Sequence, residues 1–235
     1  MKDKQTHDYF DEFTPHFKPE RFHFAIDYLN KIATNEQNLI DIGCGDGATL
    51  HLIKTNTPLQ SIVGLDVSAN YLSKANKLVG CDTIQGSILD KITIENNLEK
   101  FDYCTMGAVL HHLIGKNRKE SFYNMKQCLE NAVKLLKPGG SLIIFEPTFS
   151  PSIVMDIIFW IKKFTGKISS KRIKILKHWA NIGQPVVSYY TPKQLIAYVE
   201  KIPGIQILEK KIVDSKRLGL IISNVRMGII INKSI

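Results

Sequence analysis

The chain has 235 residues, 44% of them apolar, with 31 Lys+Arg against 22 Asp+Glu; this composition excludes disorder, collagen and coiled coil and fits one soluble domain. An α/β domain of this size buries roughly 70% or more of its unfolded surface, so neither metal nor disulfide is needed to hold it. The net charge of +9 is local: Lys162, Lys163, Lys167, Lys171, Arg172, Lys174 and Lys177 stand with no acid among them, which points to one segment meeting an anion, or to a solvated helix face, and not to a chain coating nucleic acid throughout.

The opening MKDKQTHDYFDEF has no apolar core of the kind that marks a secretory leader, and no uncharged apolar run nears the ~18 residues a bilayer span needs. Cys44, Cys81, Cys104 and Cys128 form neither a CxxC pair nor a Cys-His cluster at zinc spacing. They read as reduced thiols. The expectation is a cytoplasmic protein, at most peripheral to a membrane, with no metal site.

In chain order, residues 1–38 supply an N-terminal helical cap with a helix near 19–33. Short β-branched runs then alternate with helical patterns: LIDIG (39–43), SIVGLD (61–66), CDTIQ (81–85), FDYCTM (101–106) and SLIIFE (141–146), with helices near 47–56, 68–78 and 118–136. Strand, helix, strand, helix predicts a doubly wound parallel sheet, with the cofactor-binding core over 39–146. Residues 147–190 form a helical, basic insertion in which Ile153, Val154, Ile157, Ile158, Ile161, Phe164 and Ile168 recur at helical spacing. A connection this long is usually a lid or a binding element. The final segment, 191–235, starts a helix at Thr191-Pro192. It ends in two β-rich runs, 205–213 and 218–232, joined by residues 214–217. So short a join predicts an antiparallel hairpin at one sheet edge.

The chemistry begins at Asp41-Ile42-Gly43-Cys44-Gly45-Asp46-Gly47-Ala48, where the first strand turns into a helix. Gly43, Gly45 and Gly47 allow a sharp bend and let a ligand approach the backbone. Cys44 reads as a small residue without a reactive role. Asp66 ends the second strand, where a carboxylate can accept both hydroxyls of an adenosine ribose. Gly43, Gly45 and Ala48 also satisfy the dinucleotide pattern G-x-G-x-x-G/A. Against a dinucleotide stand Asp41 and Asp46, which disfavour a pyrophosphate but suit an ammonium or sulfonium cation, and the antiparallel terminal hairpin.

The stretches LIDIGCGDG, VGLDVS, QGSILD, FDYCTMGAVLHHL and LLKPGGSLIIFEP, in this order over about 39–147, resemble the class I S-adenosylmethionine-dependent methyltransferases. The resemblance implies a Rossmann-like, seven-stranded sheet whose last strand is antiparallel. It implies S-adenosyl-L-methionine as cofactor, with S-adenosyl-L-homocysteine as product. The loop at Asp41, Gly43, Cys44, Gly45 and Gly47 would then pack on the adenosyl and methionyl parts, and Asp66, with Val67 beside it, would hold the ribose. Ser87 and Ile88 would meet adenine, although many relatives carry aspartate where this chain has Ser87. Met106 and Gly107, ending the fourth strand, would touch the cofactor.

A sulfonium methyl is already activated, so transfer needs a nucleophile held in line and water kept out. Where the acceptor requires a base, His111 and His112 are the candidates; the alternative reading has one cap or pack the next helix while the other is solvated. Tyr9, Phe10, Trp160 and Trp179 are candidate substrate contacts. The favoured acceptor is a small or amphiphilic metabolite, with an anionic group or a membrane surface meeting residues 162–177. FDYCTMGAVLHHL followed by Arg118 also resembles wobble-uridine tRNA methyltransferases, which would set the basic segment on phosphates. The aromatics, however, do not interleave with the cations as in a base-stacking platform. A third reading is a non-catalytic cofactor-binding partner of another methyltransferase.

Overall fold

The structure is a computed structural model that describes residues 22–165, 185–218 and 222–235. Among them are seven strands in one sheet: β1 (Asn38–Ile42), β2 (Ser61–Asp66), β3 (Asp82–Gln85), β4 (Phe101–Gly107), β5 (Leu136–Ser150), β6 (Ile205–Leu218) and β7 (Ile222–Lys233). Their order is β3-β2-β1-β4-β5-β7-β6. The first five pair in parallel, and β7 inserts antiparallel between β5 and β6. The predicted hairpin is therefore present, but its second strand lies inside the sheet and its first forms the edge.

Helices α1 (His23–Ile32), α2 (Ala48–Asn56), α3 (Ala69–Val79), α4 (Lys91–Glu95), α5 (Arg118–Leu135), α6 (Ser152–Thr165) and α7 (Pro192–Val199) accompany the sheet. Strand alternation divides the core into two layers. Ile40, Ile42, Cys104, Met106, Leu142 and Ile144 pack on one side with α5 and α7, whereas Leu39, Ile62, Tyr103, Ile143 and Phe145 pack on the other with α1, α2 and α3. Local chemistry sets the helix ends. Ser68 Oγ accepts from Tyr71 N at 3.2 Å to start α3, and Gly80, with φ +62°, ends it. Thr191 and Gln194 form a reciprocal capping box, with Pro192 in the first turn.

Two sequence boundaries shift, and one helix face proves to point outward. Strand β5 runs on through Pro147 to Ser150, pairing Phe149 with Asn224, so the insertion starts four residues later than expected. Residues 214–217 belong to β6 and pair with Arg226, Val225, Asn224 and Ser223. Their charges suit an exposed edge strand, and Asp214 forms an ion pair with Arg226; β6 ends at Leu218 and β7 begins at Ile222. In α6 the inward side chains are Met155, Phe159 and Lys162, while Ile153, Ile157, Ile161 and Phe164 are exposed. The expected greasy face therefore turns outward. The cations Lys167, Lys171, Arg172, Lys174 and Lys177, together with Ile168, lie outside the described residues.

Candidate active site

Parallel strands end together, which gathers the β1, β2 and β4 loops at one edge of the sheet. Gly43, Gly45 and Gly47 all take positive φ, at +70°, +53° and +86°, a region costly to residues with a side chain. The bend is held by Gly43 N and Cys44 N, which both donate to Leu65 O at 2.7 and 3.2 Å. A Cβ on Gly47 would sit 2.7 Å from Ala75 Cα, so this glycine lets α2 lie against α3. Nothing stands within 4 Å of the corresponding position on Gly45. A ligand has room there.

Asp66 anchors that bend. Its Oδ2 accepts from Gly45 N at 3.0 Å and its Oδ1 from Ser68 N at 2.9 Å, and the half-buried carboxylate retains lone pairs for hydroxyl donors. Asp41 is 2% exposed and accepts from Thr105 Oγ1 at 2.7 Å. Burial pushes its carboxyl up to about 7 against the pull of the Thr105 bond, and the neighbouring Asp66 charge adds to the rise. Asp41 therefore acts through its field: a cation above the loop would favour its ionised form. Burial, with the Asp41 and Asp66 charges, also holds the Cys44 thiol protonated, and its sulfur packs into the space that Gly64 leaves open. The structural reading of Cys44 fits this packing. An open space over Gly45 beside an anchored carboxylate suits an adenosyl ligand bearing a positive sulfur.

The other cofactor candidates divide. Val67 is exposed just past Asp66, and Ser87 is half-buried, its Oγ accepting from Leu89 N at 3.2 Å. Ile88 is 5% exposed and packs into the core, with its carbonyl held by Asn131; it has little surface for a ring. Met106 is fully buried, its sulfur 3.8 Å from the Cys128 thiol. Strand alternation turns the Met106 side chain under the sheet, and Ile88, in the turn after β3, points into the core, so neither side chain offers much surface to a ligand. Gly107 is covered by Phe22, whose ring would lie 2.5 Å from a Cβ at that position. Phe22 was missed in the sequence: it sits one residue before α1, where no period marks it. Tyr9, Phe10 and Trp179 lie outside the described residues. Trp160 is exposed on α6, on the side opposite Met155, and does not join the site.

After β4 the chain makes a strained turn, with Ala108 at φ +58° and its N–H donating to Phe145 O at 2.7 Å. A 3₁₀ turn at Leu110–His112 follows. Glu146, fully buried near the end of β5, organises this turn: its Oε2 accepts from Leu110 N at 3.2 Å, and its Oε1 from His111 N at 3.0 Å. The same Oε1 lies 2.6 Å from His111 Nδ1. Burial pushes the Glu146 carboxyl up to about 8 and His111 down to about 3, Lys162 adding to the latter, so the pair carries no net charge near neutrality. Burial also holds His112 well below its usual range, helped by His111 and Lys162. His112 is the less buried of the two rings, 4.0 Å from His111 between centroids.

Tyr189 stacks on His111 at 5.0 Å and meets Phe149 at 4.2 Å, building an aromatic wall. Arg118 secures it from behind: its Nε donates to Asp156 Oδ1 at 2.8 Å, and its Nη1 to Ser188 Oγ at 2.8 Å and Tyr189 O at 2.7 Å. Glu146, Tyr189 and Phe149 were also missed in the sequence. The one available signal was an acid closing the otherwise apolar run SLIIFE.

The fold, a seven-stranded sheet with one antiparallel strand, a glycine loop after β1 and an acid after β2, is similar to that of S-adenosylmethionine-dependent methyltransferases of known structure. Residues 40–142 match the family described as a methyltransferase domain. Among curated relatives, a trans-aconitate 2-methyltransferase from Klebsiella pneumoniae is 35% identical over 74 residues, covering 31% of this chain and 29% of that protein. A small RNA 2'-O-methyltransferase from Arabidopsis thaliana is 27% identical over 111 residues, covering 43% of this chain and 12% of that protein. The chain spans about a third or less of the length of such relatives. A SAM-dependent methyltransferase structure from Methanosarcina mazei superposes with a TM-score of 0.61 at 14% identity, covering 88% of this chain and 97% of that one.

Proposed function

We propose that this protein binds S-adenosylmethionine between the glycine loop and Asp66 and transfers its methyl group to a small or amphiphilic metabolite. One observation carries the choice of acceptor: Arg118, Lys162 and Lys163, the cations that back the aromatic wall, are turned into the protein. Arg118 is locked by Asp156, Ser188 and Tyr189. Lys162 is 5% exposed, and Lys163 donates to the carbonyls of Gly115 and Lys116. These three are committed to internal contacts and not to a phosphate backbone, and the Tyr189, Phe149 and His111 wall suits a small apolar or planar body.

When bound, the cofactor supplies a methyl group already activated on a positive sulfur. The remaining work belongs to this chain. Asp66 and the glycine loop orient the nucleoside, and Asp41 sets a negative field beneath it. Glu146 positions His111 and the turn that carries it, and His112, which burial keeps neutral and only weakly basic, helps to orient an acceptor instead of taking its proton. Phe22 covers Gly107 and excludes water from that side.

The test is methyl transfer from labelled cofactor into separated fractions of a cell extract, alongside filter binding of bulk tRNA at two salt concentrations. The reading predicts label in the small-molecule or lipid fraction and weak tRNA binding. Tight tRNA binding with a steep salt slope would overturn it in favour of an RNA acceptor. Cofactor binding without transfer to any fraction would assign the chain as a silent partner subunit.

A further inference from the structure

Helix α6 carries five large apolar side chains, Ile153, Ile157, Trp160, Ile161 and Phe164, each between 46% and 69% exposed. At helical pitch they fall within an arc of about 100°. The opposite side of the helix is fixed. Met155 and Phe159 are buried, Lys162 is turned inward, Asp156 pairs with Arg118 at 2.8 Å, and Lys163 holds the carbonyls of Gly115 and Lys116. The helix therefore has no freedom to roll and hide its stripe without breaking these polar contacts.

The surroundings are positive. Lys116 and Lys119 are exposed at the start of α5, beside the end of α6, and Lys193 is exposed on α7. Among the described residues that follow α6, 185–199 carry no Asp or Glu. A second copy of this chain would set the same stripe and the same cations against themselves across a two-fold axis, which opposes association. The complementary occupant is both apolar and anionic. We infer that the exposed face of α6 docks on the surface of an anionic lipid bilayer, the apolar stripe entering the headgroup boundary and Lys116 and Lys119 meeting the lipid charge. Arg118, bonded to Asp156 on the inner side of the same helix and to Ser188 and Tyr189, ties α6 to the wall around His111, so docking brings that wall close to molecules dissolved in the lipid.

The experiment uses the full chain with vesicles of phosphatidylglycerol and phosphatidylcholine, and with phosphatidylcholine alone, in co-sedimentation at low and high salt. The chain has two tryptophans, so Trp179→Phe leaves Trp160 as the single fluorescent reporter. The expected result is salt-sensitive binding to the anionic vesicles with a blue shift of Trp160 emission. Binding should weaken about tenfold in Ile157→Ser/Phe164→Ser, whose melting temperature and S-adenosylhomocysteine affinity stay those of the parent. That last control separates docking from the methyl-transfer reading, because either can fail alone. Absence of anionic-vesicle binding, unchanged binding in the double variant, or Trp160 emission that does not move would overturn the inference. So would a dimer that the double variant dissolves, which would assign the stripe to a second copy.

Discussion

Replacing Asp66 separates its two roles. The carboxylate accepts from Gly45 N at 3.0 Å and Ser68 N at 2.9 Å, so Asp66→Ala removes two clamps on the glycine loop. Because the site is half-buried, water can replace part of what is lost, and the expected loss of stability is about 1–2 kcal/mol. A bound nucleoside would lose the charged acceptor for its ribose hydroxyls, a further ~1.5–3 kcal/mol, or about 10- to 150-fold in Kd. Asp66→Asn keeps one acceptor oxygen without the charge, and its affinity should fall between parent and alanine variant. Calorimetric titration with S-adenosylhomocysteine gives the affinities, and thermal melting without ligand gives the stabilities. If stability drops while affinity stays at the parental value, Asp66 is only a loop clamp and the ribose assignment is refuted.

Gly47→Ala combines φ +86° with a Cβ 2.7 Å from Ala75 Cα and should cost about 2–4 kcal/mol. Gly80→Ala, at φ +62° with open space around it, should cost only about 1 kcal/mol; equal losses in urea unfolding would contradict the close contact of α2 with α3. Asp41, raised from 3.8 to about 7 in the folded chain, keeps a proton that the unfolded chain releases between about pH 4 and 7, so its contribution to stability falls as pH rises through that window. Asp41→Asn should therefore gain on the parent by up to about 4 kcal/mol from pH 4 to pH 8, and a pH-independent difference would refute the burial. Glu146→Ala leaves Leu110 N–H and His111 N–H without their buried acceptor. It should destabilise by about 2–4 kcal/mol and lower kcat while leaving cofactor affinity near the parental value; an unchanged kcat would remove Glu146 from the site.

Much of the cofactor side was legible because it rests on local rules. Glycine at positive φ, an acid closing β2, and apolar runs too short for helices each leave a mark within a few residues. The acceptor side was not legible to the same degree. Glu146, Arg118, Tyr189 and Phe149 meet only after the sheet brings β5 beside β4 and the segment after residue 184 folds back, with Ser188 N donating to His111 O at 2.8 Å. No spacing in the chain records such a contact. Residues 214–217 illustrate another limit: four polar residues in a row read as a turn, yet on an edge strand one side of the backbone faces water and polarity carries no penalty. The pattern in α6 was read at the right period but without a side, because apolar spacing alone does not say which arc meets the protein. The buried Lys162 shows that here polar anchors decide it.

The most direct measurement is a crystal structure of this protein grown with S-adenosylhomocysteine. The account predicts the nucleoside lying over Gly45, its ribose hydroxyls within hydrogen-bond reach of Asp66 and its sulfur on the side of the sheet edge that faces His112. Density for the ligand elsewhere, or a nicotinamide dinucleotide bound over the same loop in preference to it, would contradict the account.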